Sequence, residues 1–449
     1  MIIRRIFLSC RNNNINNDRL LVVGVVATIF LLVNNSLLSY TFHEHAAAAY
    51  VKAVPSASGP TLSDPNLKAQ TIFSGLHIPT SMVFLGPDDF LVVEKKTGDV
   101  IRIVNGKMQG SPLLHVNVAA QIERGLLGIA VQKSTNNHTS TYVFLYYTEA
   151  GTGGTVAGNR IYRYELTSNN QQLVNPKLLL DLPGTPAPGG EGNHNGGKLV
   201  IGPDHNVYAI IGDVGDHRGQ AQNVIDGPAF DGTGGILRIT QDGQVAPNPP
   251  LGGTKPLDIY YAYGIRNGFG MDFDPVTGTL WDTENGPSFG DEINLVKAGF
   301  NSGWVKIQGF AKDQLAGKAD PTKDLVNLGG KGVYTDPKFV WNQPVAPTAL
   351  KFLSSDKLGK QYQNTMFVGD VLTGNLYNFK LTTQRTGLVL NGPLANGVAN
   401  SQVQSEQGGI VLGKGFGLIT DLQVSPDGYL YVLGYDGTVY KIVPSLKAP

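Results

Sequence analysis

The chain has 449 residues, of which 41% are hydrophobic and 16% are charged, and its formal net charge is zero. Glycine is abundant at 57 residues and proline adds 26, which together indicate a folded chain with many turns. The neutral balance, without a basic stripe interleaved with aromatic residues, argues against a nucleic-acid-binding protein.

The first 50 residues have the pattern of an export segment. Arginines precede an apolar run, Leu20–Val33, that is short for a membrane span and typical of a signal peptide. Small residues at Ala46–Ala49 offer a cleavage zone, whereas Leu37 and Leu38 could extend the run into an uncleaved membrane anchor. Both alternatives predict an exported protein that is extracellular, periplasmic or tethered to a membrane and facing outside.

The rest of the chain is expected to fold without cross-links. The single cysteine, Cys10, lies in the export segment, so the exported part has no disulfide, thiol nucleophile or thiolate metal site. Residues 51–66, rich in proline, serine and alanine, are predicted to be a linker. One domain is expected over residues 67–445, with a large core.

From Leu67 onward the chain repeats one pattern, in which short apolar strands alternate with Pro-Asp or Gly-Asp turns. Six copies span Ser81–Val104, Gly125–Leu166, Gly196–Thr240, Asn267–Val296, Ala346–Leu381 and Gly417–Val443. Their unequal spacing excludes a short regular repeat and favours sheets that carry insertions of variable length.

These copies predict an all-β fold, a six-bladed β-propeller. The free strand Gln70–Leu76 is predicted to pair into the sheet that contains Tyr429–Leu433 and so to close the ring. A pair of β-sandwiches would accommodate the strands equally well, but it does not explain six copies of one pattern. No stretch after residue 50 shows sustained helical periodicity, which argues against an α/β fold.

Two polar loops in the first half of the domain could carry chemistry. Glu123 and Arg124 precede a strand flanked by glycines, and a surface ion pair is the ordinary interpretation. His194 lies on the glycine-rich loop 192–197, and a neutral imidazole is the usual general base near pH 7. The alternative is a solvated surface histidine. No two histidines have the spacing of metal ligands, so a zinc site is not expected.

Two further motifs follow. Arg266, in the segment Tyr263–Gly268, has a planar donor fork suited to an oxyanion or a carboxylate, with a structural bridge between blades as the alternative. Residues 284–294 supply three carboxylates, two amides and a turn that exposes backbone carbonyls. Oxygen ligands of this kind suit calcium, although the spacing is not that of an EF-hand, and an ordinary acidic turn is the alternative.

The motifs ERGLLG, HNGGKLVIGPD, GIRNGFG and ENGPSFGDEINLV, in that order, resemble the soluble glucose/sorbosone dehydrogenase family from about Gln70 to Val443. The resemblance implies a quinoprotein that uses pyrroloquinoline quinone (PQQ) and calcium to oxidise an aldose at its anomeric carbon to a lactone. The electron acceptor is then expected to be a soluble or membrane carrier.

The resemblance also implies a role for each matching residue. His194 stands at the general base, and Arg266 and Asn267 stand at the contacts to the quinone oxygens. The other implied positions are Glu123 and Asp213 near the cofactor, and Gly286 and Pro287 as carbonyl ligands of calcium. The nearby acids Asp291 and Glu292, among the oxygen donors of residues 284–294, are predicted as further metal ligands.

The sequence departs from the family pattern where the PQQ carboxylates are bound. The positions of one lysine and two arginines of the family fall near Leu372–Thr373 and Leu418–Thr420, and none of these residues is basic. Because three unpaired carboxylates are costly to bury, Lys198, Lys351 or Lys414 are candidate substitutes, and PQQ affinity is expected to be weaker than is usual in the family.

The missing basic residues favour a second hypothesis, a non-catalytic propeller that binds a glycan or a protein at the cell surface. The retained His194, Arg266 and turn Gly286–Pro287 favour the enzyme. A calcium-dependent lactone hydrolase on a similar propeller is a third hypothesis, which the motif order fits less well.

Overall fold

Apolar and turn residues alternate along the domain, and the backbone follows this pattern as strands. The computed structural model describes residues 59–133, 140–185, 191–215, 223–224, 229–313 and 319–445, all within the unit Ala53–Pro449. The export segment expected over residues 1–50 lies outside the described residues.

The strands are short and follow one another closely along the chain. The first eleven are β1 (Thr61–Leu62), β2 (Leu67–Phe73), β3 (Pro79–Gly86), β4 (Asp89–Glu94), β5 (Asp99–Val104), β6 (Lys107–Met108), β7 (Leu114–His115), β8 (Leu126–Lys133), β9 (Thr141–Ala150), β10 (Val156–Leu166) and β11 (Leu173–Leu182). The next nine are β12 (Leu199–Ile201), β13 (Val207–Ile211), β14 (Gly235–Ile239), β15 (Tyr260–Tyr263), β16 (Gly268–Phe273), β17 (Leu280–Glu284), β18 (Asp291–Val296), β19 (Phe300–Asn301) and β20 (Val333–Tyr334). The last nine are β21 (Phe339–Trp341), β22 (Pro347–Leu353), β23 (Thr365–Asp370), β24 (Leu376–Phe379), β25 (Val398–Ala399), β26 (Val411–Lys414), β27 (Ile419–Val424), β28 (Leu430–Gly434) and β29 (Val439–Pro444).

Helices are minor features of the described residues. They are α1 (Gln404–Gln407) and the 3-10 turns Thr152–Gly154, Leu257–Ile259, Ala311–Asp313 and Gly392–Leu394. Across the described ranges, no helix has the length and apolar character that crossing a membrane requires.

The described strands form six sheets, which we number I to VI along the chain. Their strand orders are β3-β4-β5-β6 with β7 also on β5 (I), β8-β9-β10-β11 (II), β12-β13-β14-β15-β19-β20 (III), β16-β17-β18-β21-β25 (IV), β22-β23-β24-β26-β1 (V) and β27-β28-β29-β2 (VI). The first four strands of every sheet are antiparallel, and parallel pairing occurs only where β19, β20 and β25 extend sheets III and IV within the described residues.

The first strand of each sheet lies innermost. Strands β3, β8, β12, β16, β22 and β27 pack against one another in that order, and β27 packs against β3. This closed ring of sheets confirms an all-β propeller and excludes a pair of sandwiches.

The ring closes through the two ends of the domain. Strand β2 pairs antiparallel with β29, with Gln70 opposite Lys441, in the same sheet as β28. The predicted pairing of Gln70–Leu76 into the sheet of Tyr429–Leu433 is therefore confirmed for the part of this segment that forms β2.

The predicted linker is shorter than expected. Thr61 and Leu62 form β1, which pairs with Lys414 and Gly413 of β26 at the edge of sheet V. Residues 51–58 lie outside the described residues. The folded domain thus begins before residue 67, because these backbone groups find their partners in a sheet that is distant in sequence.

Aromatic side chains fill the space between neighbouring sheets. Trp281 of sheet IV, Trp341 and Tyr377 are fully buried in one cluster, and the rings of Trp341 and Tyr377 lie 5.3 Å apart between sheets IV and V. Burial of apolar area stabilises by about 25 cal/mol per Å², so these interfaces hold the sheets in fixed positions.

This arrangement gathers polar loops at one end of the ring. In an antiparallel pair, the start of the inner strand lies beside the end of the second strand. The loops before β8, β12 and β16 therefore meet the loop after β13 and the turn between β17 and β18.

Candidate functional site

His194 lies on the loop that leads into β12. It is only 3% exposed, and its φ of 58° is in the left-handed region, which is uncommon for a residue other than glycine. Gly196 follows with φ of 60°, and a Cβ there would lie 2.4 Å from the Ile210 carbonyl oxygen, so the loop needs glycine to fold onto β13. The interpretation of His194 as a solvated surface histidine is wrong.

A buried carboxylate orients the imidazole. His194 Nδ1 lies 2.5 Å from Asp213 Oδ1, and Trp304 Nε1 donates to Asp213 Oδ2 at 2.8 Å. The Asp213 backbone N–H donates to the Arg266 carbonyl at 2.9 Å. Because an ionised carboxylate only accepts, the proton is on Nδ1 and Nε2 keeps its lone pair. This pairing is what a general base requires.

Glu123 reaches this pair from sheet II. Its Oε2 accepts the His194 backbone N–H at 2.5 Å, and Asn267 Nδ2 lies 3.4 Å from each carboxylate oxygen. The Glu123 N–H donates to the Gly192 carbonyl at 3.1 Å. Within the described residues Glu123 makes no ion pair with Arg124, so the interpretation of these two residues as a surface ion pair is wrong.

Arg266 precedes β16 and is buried. Its Nη1 donates to the carbonyls of Asn285 and Gly286 at 3.0 Å each, and its guanidinium carbon lies 5.3 Å from the centre of the Trp304 ring. Its backbone N–H donates to Glu284 Oε1 at 2.7 Å. The guanidinium thus bridges structural elements in this state and also places a fixed positive charge beside the His194 pair.

The structure therefore brings together most of the residues that the sequence singled out. Glu123, His194, Asp213, Arg266 and Asn267 converge from loops of sheets II, III and IV, and we call them, with Trp304, the His194 cluster. Gly286 joins through its carbonyl, while Pro287 is exposed beside it.

Asp291 holds the turn between β17 and β18 through hydrogen bonds to backbone N–H groups. Its two oxygens accept backbone N–H groups from Gly286 at 2.9 Å, Val345 at 2.8 Å and Ala346 at 2.7 Å. Desolvation raises its pKa to about 6 despite these bonds. Both oxygens are occupied, so the predicted role of Asp291 as a calcium ligand does not fit this arrangement.

Glu292 belongs to a different buried group. It accepts hydrogen bonds from Gln308 Nε2 and the Gly309 N–H. Asp282 and Glu284 lie on the neighbouring strand β17, and burial raises the pKa of Glu284 to about 7 and those of Asp282 and Glu292 well above their usual range. Burial together with mutual repulsion therefore favours protonated carboxyls in this group.

The acidic residues do not form a metal cage. Among the described residues, no group of three or more His, Cys, Asp or Glu side chains could hold a metal ion. The predicted role of Glu292 as a ligand therefore does not fit either. The Gly286 carbonyl, another predicted calcium contact, accepts Arg266 Nη1 at 3.0 Å.

The lysines considered as partners for PQQ carboxylates are occupied elsewhere. Lys198 Nζ lies 2.5 Å from Asp421 Oδ1, and Lys351 Nζ lies 2.9 Å from Asp272 Oδ1. Lys414 is exposed on β26, far out in sheet V. The segments Leu372–Thr373 and Leu418–Thr420, near which the family pattern places one lysine and two arginines, contain only neutral side chains.

Unpaired acceptors surround the cluster. The side-chain oxygens of Asn193, Asn267 and Asn285 are buried and accept no hydrogen bond from the described residues. Buried amide oxygens normally have a donor, and the hydroxyl groups of a polyol supply such donors. This set suits a sugar.

Sequence reasoning missed two supporting residues. Trp304 orients Asp213, and its signal was a tryptophan at the end of the glycine-flanked loop 299–304. Lys95 is buried and donates from Nζ to the carbonyls of Ile122 at 2.7 Å and Ala120 at 3.3 Å, which fixes the loop before Glu123. Desolvation lowers the Lys95 pKa to about 8, and no local sequence pattern indicates this contact.

Comparison with known proteins adds independent information. A family model described as glucose/sorbosone dehydrogenase matches residues 76–441. The aldose sugar dehydrogenase YliI of Escherichia coli is 26% identical over 380 residues, which cover 82% of this chain and 91% of that protein. The quinoprotein glucose dehydrogenase B of Acinetobacter calcoaceticus is 29% identical over 289 residues, which cover 60% and 58% of the two chains.

A solved structure gives the same fold. The PQQ-bound form of an aldose sugar dehydrogenase from Streptomyces coelicolor superposes with a TM-score of 0.62 at 23% identity, covering 87% of this chain and 100% of that chain. At this level of identity the likeness concerns the fold alone.

Proposed function

Because the chain belongs to the glucose/sorbosone dehydrogenase family, we propose that it is a quinoprotein that oxidises an aldose at its anomeric carbon to a lactone. One observation carries the proposal: His194 is held by Asp213 with Nε2 left as the basic nitrogen, beside the guanidinium of Arg266. The unpaired amide oxygens around this pair support a polyhydroxylated substrate.

Each residue of the site has a proposed role in this reaction. His194 Nε2 accepts the proton of the anomeric hydroxyl, and Asp213 stabilises the imidazolium that forms. Arg266 stabilises negative charge that develops on a nearby oxygen. PQQ, when bound, supplies the two-electron acceptor that takes the anomeric hydride.

The proposal includes a calcium ion bound by backbone carbonyl oxygens. We propose that the carbonyls of Gly286 and Pro287 would hold it, where it would supply Lewis-acid chemistry. The Gly286 carbonyl accepts Arg266 Nη1 in this structure, so a cation and the guanidinium compete for this oxygen.

Dye reduction by purified protein with PQQ, calcium and a panel of aldoses tests the proposal. His194→Ala is expected to lower turnover by about 10²- to 10⁴-fold, because the proton acceptor is lost. His115→Ala, at an exposed histidine on β7, is the control and should behave as wild type. A wild-type protein that reduces dye with no aldose at saturating PQQ and calcium would end the dehydrogenase proposal.

A propeller that binds a glycan without redox chemistry is the second candidate function. The neutral residues at Leu372–Thr373 and Leu418–Thr420 favour it, because they leave the PQQ carboxylates without their usual partners. In that case, His194→Ala changes glycan affinity in a titration and no dye is reduced.

The finer architecture and the location complete the proposal. We propose that each of the six sheets is one blade, which the closed order of the inner strands supports. We also propose that residues 1–50 export the protein, supported by the apolar run Leu20–Val33. Fractionation of cells that express the chain with and without residues 1–50 tests the location.

A further inference from the structure

Arg124 lies beside the loop that carries His194. A Cβ added at Gly192 would lie 2.8 Å from Arg124 Nη1 and 3.0 Å from its Cζ, so the guanidinium occupies the space that this glycine leaves open. Gly192 precedes His194 by two residues, and its carbonyl accepts the Glu123 N–H. The guanidinium of Arg124, which is partly exposed, therefore lies against the loop that carries His194, two residues before it.

This guanidinium has no counter-charge among the described residues. Its Nε is buried without a hydrogen-bond partner, and the neighbouring Glu123 directs its carboxylate to His194 and Asn267 instead. Desolvation lowers the pKa of Arg124, and no acid offsets that effect. By contrast, Arg102 is held by Asp89 at 2.6 Å.

A half-buried cation without a partner destabilises the free protein, and binding of an anion removes that cost. Arginine presents a planar fork that binds a carboxylate through two parallel hydrogen bonds. Of the other cations considered for this purpose, Lys198 and Lys351 already have aspartate partners, and Lys414 is exposed on β26.

We propose that Arg124 is a binding residue for a carboxylate of the ligand that occupies the His194 cluster. The proposal rests on the proposed function and extends it. Two ligands of that function carry such a group: PQQ, with three carboxylates, and an acidic aldose, with a carboxylate on its terminal carbon.

Direct binding measures the effect without turnover. PQQ is titrated into the full-length protein and followed by quenching of tryptophan fluorescence, for wild type, Arg124→Gln, Arg124→Lys and Lys414→Gln. Arg124→Gln is expected to weaken binding about tenfold or more, since hydrogen bonds to charged groups are strong. Arg124→Lys should retain part of the affinity, and Lys414→Gln, which removes an exposed charge on β26, should bind as wild type.

Two further arms separate the sources of the carboxylate. The ortho-quinone 1,10-phenanthroline-5,6-dione has no carboxylate, so loss of the preference for PQQ over this quinone in Arg124→Gln identifies the cofactor. If Arg124→Gln has a higher ratio of KM for D-glucuronate to KM for D-glucose than wild type has, the carboxylate belongs to the substrate. Either result supports the proposal, and added salt should weaken wild-type binding more than variant binding.

Gly192→Ala gives an independent test. The added Cβ displaces the guanidinium without changing any charge, so PQQ or glucuronate binding should weaken in the same direction as in Arg124→Gln. Thermal unfolding followed by circular dichroism verifies that each variant is folded. If folded Arg124→Gln binds PQQ and glucuronate as tightly as wild type does, this inference is overturned and the proposed function stands. If the wild type binds neither ligand and oxidises no aldose, the proposed function is wrong, and the inference about Arg124 falls with it.

Discussion

At the scale of single residues, the orientation of one imidazole decides the chemistry. Asp213 accepts from His194 Nδ1 with one oxygen and from Trp304 Nε1 with the other, so both of its oxygens act as acceptors. In the proposed mechanism, the basic nitrogen of His194 therefore depends on a carboxylate that need not touch the substrate.

Asp213→Asn tests this dependence. The amide matches the carboxylate in size but offers only one acceptor, so it favours the wrong imidazole tautomer or loses the Trp304 bond. We expect turnover to fall by about 10²- to 10⁴-fold, as in other His–Asp pairs, while PQQ affinity changes little. Stopped-flow reduction of a dye gives the rate, and a variant within threefold of wild type would show that Asp213 does not orient His194.

Some residues of the site could be predicted from the sequence, and some of their contacts could not. His194, Glu123 and Arg266 could be selected because each stands at the same place relative to a strand. The different contacts of Glu123 and Arg124 could not be predicted, because both are made with the loop 192–194, which is distant in sequence.

At the scale of elements, the turn between β17 and β18 is held by hydrogen bonds that its sequence does not reveal. The sequence predicts Asp291 and Glu292 as cation ligands. In the structure, their carboxylate oxygens accept hydrogen bonds from backbone N–H groups and from a side-chain amide. Long-range partners such as Val345 determine this outcome, and no local pattern identifies them.

Calcium should stabilise the fold through this turn. Binding to the native state alone raises the melting temperature as ligand concentration rises. We expect chelator-treated protein to melt at a higher temperature after calcium is added. Magnesium should have a smaller effect, since it demands regular octahedral geometry and keeps its waters. Scanning calorimetry measures both, and identical melting curves with and without calcium would contradict the carbonyl site.

Asp370, at the end of β23, makes stability depend on pH. It is buried and accepts the N–H groups of Thr373 and Gly374 and the Tyr377 hydroxyl, while desolvation raises its pKa to about 6 from the ordinary 3.8. A folded-state pKa above the unfolded one favours folding below pH 3.8, and this contribution is lost as pH rises through 6.

Urea unfolding of wild type and Asp370→Asn at pH 4 and pH 7 measures this effect. Asparagine does not titrate, so the stability difference between the two proteins should shift by about 2 kcal/mol in favour of the variant between these pH values. The direction decides the matter: a shift in favour of wild type would show that Asp370 has a depressed pKa.

At the scale of the whole molecule, one ion pair joins distant parts of the ring. Lys198, just before β12 of sheet III, pairs with Asp421 on β27 of sheet VI, and Asp421 also accepts from Ser81 and Met82 of sheet I. Both charged side chains are buried, so each depends on the other.

Lys198→Met should destabilise the protein by about 3–5 kcal/mol, because Asp421 is left buried without its cation. The double variant Lys198→Met/Asp421→Leu should recover most of that loss, since neither charge then needs a partner. Chemical unfolding gives the free energies. A double variant that is less stable than Lys198→Met alone would show that Asp421 matters chiefly through Ser81 and Met82.

The repeated pattern was sufficient to predict a closed all-β ring, including the strand from Leu67 that completes sheet VI. Four of the two-residue strands, β1, β19, β20 and β25, were not predictable. Each is too short to show alternation, and each is a strand only because a distant edge offers hydrogen bonds. For the same reason, the predicted linker included residues that form β1.

The pairing of β2 with β29 determines when the protein becomes native during synthesis. Strand β2 leaves the ribosome before strands β3 to β28, and its partner β29 follows all of them. Bringing them together requires closure over nearly the whole domain, which slows folding. A nascent chain that stops short of Val439 therefore loses more than one strand, because β2 stays an unpaired edge, open to pairing with another chain.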